Sequence, residues 1–396
     1  MADNGRVISA DGHLEVLPER WTNRVPQKYR DRAPRTVQLP DGGDAQFIEG
    51  RPLQEAFFLD LRAGRAEGHW QPTGLKVEDS AGTGPPEQRL REQDMDGLGA
   101  EVLYPAMVSG PGLWRNIRHD EVYLAMVRAY NDWLGEEYCP VAPDRLIAMG
   151  VMPWTGVGDC IAEMERCARM GLKGVMLGTF PSAKGYPTAE DDEFWAAALD
   201  MNMPVTAHVQ FDRSGPRASQ PTFRFPNEDP VVLGQLRRHF LDWLIVQGMS
   251  PALSIMQMVL SGVFDRFPNL KMYFAETRLG WVPFWLEHAD LWYNRHIGWA
   301  EELLGFKPLK ALPSEYIREH IYFSIQYERV ALENRHHVGV DRIMFATDFP
   351  HIECEWPDSQ SFIEKLYADV PEDEKKKILS GNMIKYFHLE EAFGPA

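Results

Sequence analysis

Eight short apolar runs, spaced along the chain with helix-like stretches between most of them, constrain the fold of this sequence more than any other feature. They fall at residues 6–10, 101–104, 146–150, 172–177, 204–208, 271–275, 321–324 and 342–346. Such brief, almost wholly apolar runs are the pattern of strands buried on both faces. A helical stretch at 88–98 precedes the second run, and another at 120–138 precedes the third. The latter carries Val122, Ala125, Met126, Ala129 and Trp133 on one helical face. Stretches at 157–170 and 193–199 flank the fourth, the second of them ending before Pro204. Strands alternating with helices in this number predict an α/β fold, a closed parallel (β/α)8 TIM barrel.

Two segments break the alternation. Residues 24–86 are rich in Pro, Gly and charge and read as an insertion after the first strand. Residues 212–257 begin as a polar Pro/Ser/Arg loop and continue as an apolar helix around 240–249, an insertion after the fifth strand. Neither reads as an independent domain, so 1–396 is expected to form a single barrel. Long insertions of this kind build substrate pockets or oligomer contacts, and a homo-oligomer is expected.

Charge and cysteine usage narrow the partners. A net charge of −17 argues against nucleic acid or an anionic membrane as the main partner. It leaves a small-molecule substrate open, because a metal reverses the local field in a pocket. No apolar run reaches the ~18 residues of a membrane span. The first residues, MADNGRVISADGH, lack a basic segment followed by an apolar one, so no secretory signal is expected. Cys139, Cys160, Cys167 and Cys354 form no CxxC pair and read as reduced thiols in a cytoplasmic protein.

In a parallel barrel the reactive side chains sit at the carboxyl ends of the strands. The first strand runs out as VISADGHLE, where Asp11 and His13 stand two apart and face the same side of an extended chain. A carboxylate beside an imidazole is a metal-ligand pair; the alternative is an Asp-Gly turn. His208 ends the fifth strand in PVTAHVQF, Glu276 ends the sixth in KMYFAETRLGW, and Asp348 follows the eighth in RIMFATDFPHIE. A buried carboxylate without a partner is costly, and ligand-type residues at the ends of the first, fifth, sixth and eighth strands point together to a metal site. His351 and Glu353 stand just past Asp348, as candidates for holding a ligand in place or touching substrate, with a turn role as the alternative. Arg278 is a candidate for pairing with a substrate carboxylate, against a plain salt bridge to a neighbouring acid. Trp281, Phe284, Trp285 and Trp292 lie at helical spacing and read as core or interface. His336 and His337 fall before the eighth strand, away from the site, and Asp358 or Ser359 is expected to cap the next helix.

Longer stretches carry a resemblance: ISADGHLEVLPERW, REQDMDGLGAEVLYP, YNDWLGEEY, DDEFWAAALDMNMPVTAHV, SGVFDRFPNLKMYFAETRLGWVPFWLEHAD and RIMFATDFPHIECEWPDS. The chain resembles the amidohydrolase superfamily, in the amidohydrolase-related (amidohydrolase 2) branch. That branch includes aromatic-acid and aminocarboxymuconate-semialdehyde decarboxylases as well as hydrolases. The resemblance covers most of the chain and implies metal ligands at Asp11, His13, His208 and Asp348. Those decarboxylases carry a catalytic histidine in the sixth strand, where this chain has Glu276. Glu276 adds a further ligand, so one or two divalent ions (zinc, iron or manganese) are expected. Lys173, the candidate for a carbamylated bridging lysine, begins its strand at the wrong end and reads as structural.

These readings lead to an expected metal-dependent hydrolase that cleaves an amide, ester or thioester through metal-activated hydroxide. Asp348 would move the proton, and Glu276, His351 and Arg278 would assist. An anionic Glu276 in place of the histidine is expected to repel a substrate carboxylate. Non-oxidative decarboxylation of an aromatic or unsaturated acid is the alternative, and a non-catalytic binding protein on the same barrel is the third reading.

Overall fold

The computed structural model describes residues 7–40, 42–50, 63–64, 74–105, 117–209, 211 and 251–396. Eight parallel strands form the centre. They are Val7–Leu14, Leu98–Pro105, Leu146–Ala148 continued by Gly150–Val151, Val175–Leu177, Val205–His208, Met272–Ala275, Ile321–Ile325 and Ile343–Phe345. Every predicted run overlaps one of them, and each strand is buried along its length because helices and neighbouring strands cover both faces.

The ring closes at two joints. The third strand is broken at Met149. Its first half pairs with the second strand and its second half with the fourth. Met149 N–H donates to Leu103 O at 3.0 Å and Gly150 N–H to Gly174 O at 2.9 Å, so the chain passes from one neighbour to the other without a gap. At the other joint the first strand meets the eighth. Gly12 bridges Phe349, His13 N–H donates to Phe349 O at 2.7 Å, and Asp348 N–H donates to Asp11 O at 2.9 Å. Closure satisfies backbone groups that an open edge would expose. The α/β TIM barrel expected from the sequence is the fold.

Local signals set the helix positions. Helix Pro86–Asp96 starts on a proline, whose missing N–H is harmless in the first turn. It stops at Gly97, whose φ of 72° a side chain would resist. Helix Asp120–Trp133 runs on into a π turn over Leu134–Tyr138, matching the predicted stretch. Asn131 pins it to the third strand: its amide donates to Val151 O and accepts from Val151 N–H, at 3.0 and 2.8 Å. Helix Asn382–Phe387 shuts the amino-terminal mouth of the barrel. Asn382 donates to Ile343 O at 2.7 Å and Tyr386 to Val205 O at 2.6 Å, both at strand beginnings. The opposite mouth is left for chemistry.

Of the insertion at 24–86, the structure describes an antiparallel hairpin of Arg35–Gln38 with Asp44–Phe47 and short helical turns at Gln27–Arg32 and Val77–Asp79. In the second insertion, 212–250, including the predicted helix around 240–249, lies outside the described residues; helix Pro251–Leu260 follows. Among the described residues no helix is long and apolar enough to cross a membrane. On helix Val282–Leu304, Trp285 is buried, while Phe284 is 66% and Trp292 55% exposed, so the aromatic series is split between core and surface. One expectation needs correction. Neither Asp358 nor Ser359 caps helix Ser359–Leu366 with its side chain. Asp96 does so from the helix before the second strand, accepting from Ser359 N–H at 2.9 Å and Ser359 Oγ at 2.7 Å.

Candidate metal and catalytic site

The candidate side chains all gather at the carboxyl-terminal mouth. Asp11 and His13 come from the first strand, His208 is the last residue of the fifth, Glu276 follows the sixth and Asp348 follows the eighth. The chain turns sharply where it leaves these strands. Val209, Glu276, Arg278 and Asp348 all take left-handed backbone, with φ of 61°, 54°, 56° and 59°. Such conformations cost of order 1–3 kcal/mol each in non-glycine residues, and β-branched Val209 is the most unusual of them. Hydrogen bonds hold the corners: Val209 N–H to Ala275 O at 2.9 Å and Glu276 N–H to the Ser324 hydroxyl at 3.2 Å.

The donor atoms converge on one point. His13 Nε2 and His208 Nε2 are 3.1 Å apart. Asp11 Oδ1 lies 3.6 Å from each of them. Glu276 Oε2 is 3.3 Å from His208 Nε2, and Asp348 Oδ1 is 3.1 Å from His13 Nε2. One ligand atom from each of Asp11, His13, His208 and Glu276 lies within 4.8 Å of the others, and all four residues are buried.

This arrangement fits a divalent cation. Neither oxygen of Asp11 makes a hydrogen bond, although the residue has no solvent exposure. Burial pushes its carboxyl up to about 7, against the pull of His13 and with Asp348 adding to the rise. Burial, and then the facing His351, lower the basicity of His13. Its Nδ1 stands 3.3 Å from Pro105 O, so an Nδ1–H donating there leaves the Nε2 lone pair facing the cluster. A cation among these acceptors removes the penalty of a buried unpaired carboxylate.

Beside this group runs a chain of charge. His351 is buried, with Nδ1 3.1 Å from Asp348 Oδ1 and Nε2 3.0 Å from Glu15 Oε1. Its ring stacks on His13 at 4.0 Å between centroids. Burial opposes protonation of His351, but Asp348 and Glu15 overcome it and raise its basicity well above the usual range. Burial likewise opposes ionisation of Asp348, yet the charge of His351, its hydrogen bond and the closeness of His13 hold the carboxyl well below the carboxylate range. These neighbours favour the ionised form of Asp348.

The remaining candidates separate cleanly. Arg278 is nearly buried and forms an ion pair with Glu353, the plainer of its two readings, with its guanidinium 5.0 Å from the Tyr327 ring. Lys173 pairs with Asp144 at 3.9 Å, away from the cluster, as a structural residue would. His336 is exposed beside Glu374. The sequence reading missed Glu15, although it continues the every-second-residue pattern of Asp11 and His13. It also missed the Pro105 carbonyl, which no residue type could announce.

The family model described as Amidohydrolase matches residues 11–389. The chain belongs to the amidohydrolase family. Within it, this amidohydrolase falls in the amidohydrolase-related branch. It is similar to the 2-amino-3-carboxymuconate-6-semialdehyde decarboxylase of Dictyostelium discoideum, 25% identical over 393 residues that cover 97% of this chain and 93% of the relative. An amidohydrolase of Mycobacterium avium subsp. paratuberculosis K-10 has the same fold, with a TM-score of 0.72, 20% identity and 98% of each chain covered. So does a 5-carboxyvanillate decarboxylase of Novosphingobium aromaticivorans, solved with manganese and 4-hydroxy-3-methoxy-5-nitrobenzoic acid. Its TM-score is 0.65 at 17% identity, covering 98% of this chain and 97% of the other.

These likenesses overturn the expected hydrolase: a relative matched along nearly the whole of this amidohydrolase is a decarboxylase. The expectation had rested on the missing sixth-strand histidine and on repulsion between Glu276 and a substrate carboxylate. The charge argument took Glu276 alone, whereas it stands 3.3 Å from His208 Nε2 among groups that fit a divalent cation, whose charge would offset it. This amidohydrolase is an enzyme with a divalent-metal site.

Proposed function

We propose that this enzyme removes carbon dioxide, without oxidation, from a small aromatic or unsaturated carboxylic acid. The observation that carries the reading is Asp348: a buried carboxylate whose Oδ1 lies 3.1 Å from a nitrogen of both His13 and His351, beside the candidate ligand cluster. Asp11, His13, His208 and Glu276 would hold one divalent ion, with Asp348 at its edge; their mixed nitrogen and oxygen donors suit manganese, zinc or iron. When bound, the ion would supply a positive centre that holds anionic oxygens of the substrate and offsets the negative charge left on its carbon skeleton as carbon dioxide departs.

The chain's own groups account for the proton. Breaking the bond to the carboxylate carbon leaves its electron pair on the neighbouring carbon, which must take up a proton as carbon dioxide departs. Asp348, in its ionised form, collects a proton from an acidic substrate group and returns it to that carbon. His351 stays protonated between Asp348 and Glu15 and keeps the carboxylate aimed. Arg278, balanced by Glu353, can exchange that partner for an anionic group of the substrate. The unpaired cysteines support residence in a reducing, cytoplasmic compartment, and the exposed Phe284, Trp292 and Trp299 support self-association.

The test is a panel of hydroxybenzoates and unsaturated semialdehyde acids with the manganese-loaded enzyme, following carbon dioxide release. In deuterated water the product should carry deuterium at the vacated carbon. Absence of carbon dioxide from every acid in the panel would overturn the reading.

A further inference from the structure

Arg89 lies in helix Pro86–Asp96, outside the ligand set, and is fully buried at 1% exposure. A buried guanidinium persists only when its donors are used, and the bonds of this one reach three barrel strands. Its Nε and Nη2 grip Glu101 of the second strand, at 2.7 and 3.1 Å. Its Nη1 donates to the carbonyl of His13 on the first strand at 2.9 Å. Nη2 also donates to the carbonyl of Phe349, just past the eighth strand, at 3.2 Å. The Phe349 ring stacks on the same guanidinium at 4.5 Å. Gln93 donates to Glu101 at 2.8 Å and steadies the acid.

The carbonyls that Arg89 binds belong to the joint where the ring closes. Phe349 O, besides its bond from Arg89, accepts the N–H of His13; Asp348 and Asp11 are tied to each other by backbone one step away. Gly12 makes the approach possible. A Cβ there would stand 2.7 Å from Arg89 Nη2 and 3.1 Å from Glu101 Oε1. The glycine between Asp11 and His13 is thus the space the guanidinium occupies, which explains the Asp-Gly-His order better than a turn does.

We infer that Arg89, clamped by Glu101, is a positioning residue for the metal site: it fixes the backbone of His13 and of the segment carrying Asp348, and so sets the distance between them. The inference rests on the metal cluster of the proposed function and not on the reaction assigned to it. Lysine keeps the charge but has no planar fork, so it cannot bind Glu101 and two carbonyls in these directions at once.

The experiment is Mn2+ binding to metal-stripped protein at 25 °C, by competition with a fluorescent chelator, for wild type, Arg89→Lys and Glu101→Gln. Tm and far-UV circular dichroism are recorded beside it. The Mn2+ dissociation constant of Arg89→Lys should rise about 10–100-fold, the range for partners that orient metal ligands. Glu101→Gln should move in the same direction and decides the matter alone if Arg89→Lys does not fold. A merely structural pair lowers Tm and leaves the affinity of the folded protein unchanged. A folded variant with the wild-type constant therefore overturns the inference, as does a wild type that takes up no Mn2+. No substrate enters the assay, so failure of the decarboxylase reading is seen separately.

Discussion

The Nε2 atoms of His13 and His208 stand 3.1 Å apart although their strands are the first and the fifth of the ring, on opposite sides of the barrel. Each strand delivers its imidazole to the axis. Neither could do so alone, since the pair leaves two basic nitrogens and the bare carboxylate of Asp11 in one dry space.

Replacing His208 with Ala should therefore abolish metal retention while the barrel still folds. Elemental analysis after dialysis should find less than about one-tenth of the wild-type metal, in line with loss of a direct ligand. Because an ion that binds only the native state stabilises it, a chelator should lower Tm of the wild type and leave that of His208→Ala unmoved. A His208→Ala protein with full metal content would remove this residue from the ligand set.

Glu276 bears on the number of ions. Its carboxylate lies within the span occupied by Asp11, His13 and His208, which is the size of a single coordination sphere. Metal titration should reach one ion per chain. Glu276→Gln should weaken binding about 10-fold or more, by removing one anionic donor. Saturation at two ions per chain would show that Glu276 bridges a second site instead.

Glu15 should matter to turnover more than to metal binding. It holds the outer nitrogen of His351, while Asp348 holds the inner one. Glu15→Gln should lower kcat for carbon dioxide release about 10–100-fold with metal content unchanged. Equal losses of metal and turnover would place Glu15 in the ligand set and remove the relay.

A pH effect is expected far from the site. His320 is buried, stacks on Phe264 at 4.3 Å, and its Nδ1 lies 2.7 Å from Leu270 O. Burial lowers its basicity below the ordinary 6.5. The unfolded chain then binds the proton more readily than the folded one. Its contribution to stability is full above pH ~6.5 and is lost as pH falls towards the depressed value. Urea unfolding from pH 7.5 to 5 should show this loss, and His320→Asn should flatten the slope while lowering stability overall. An unchanged slope would locate the acid sensitivity elsewhere.

Asn131→Ala should destabilise the barrel by roughly 2–4 kcal/mol, because Val151 loses partners for both N–H and C=O in a dry setting. Chemical denaturation gives the value directly, and a loss under about 0.5 kcal/mol would mean that water reaches the gap.

The strands were legible because burial on both faces writes itself as uninterrupted apolar residues, and the candidate ligands because polar residues ending such runs are hard to explain otherwise. Apart from His351, the groups packed around them were not. Arg89 sits in a helix whose pattern is that of a solvated surface, with a mean composition too polar to suggest a core residue. Only the three-dimensional closure of the ring brings the His13 and Phe349 carbonyls to it. Glu15 was not singled out because its partner, His351, is 336 positions away. The error over reaction class had another origin. The absent sixth-strand histidine and the charge of Glu276 were weighed in isolation, whereas Glu276 stands beside His208 in a cluster that only folding assembles.

The left-handed corners at Glu276 and Asp348 coincide with two of the buried carboxylates themselves. A residue there must supply both an acid and a backbone conformation that most side chains resist. Each position is therefore constrained twice over. At Asp348, Asn keeps the tolerance for that backbone and gives up the charge, so it is the exchange that separates the two demands.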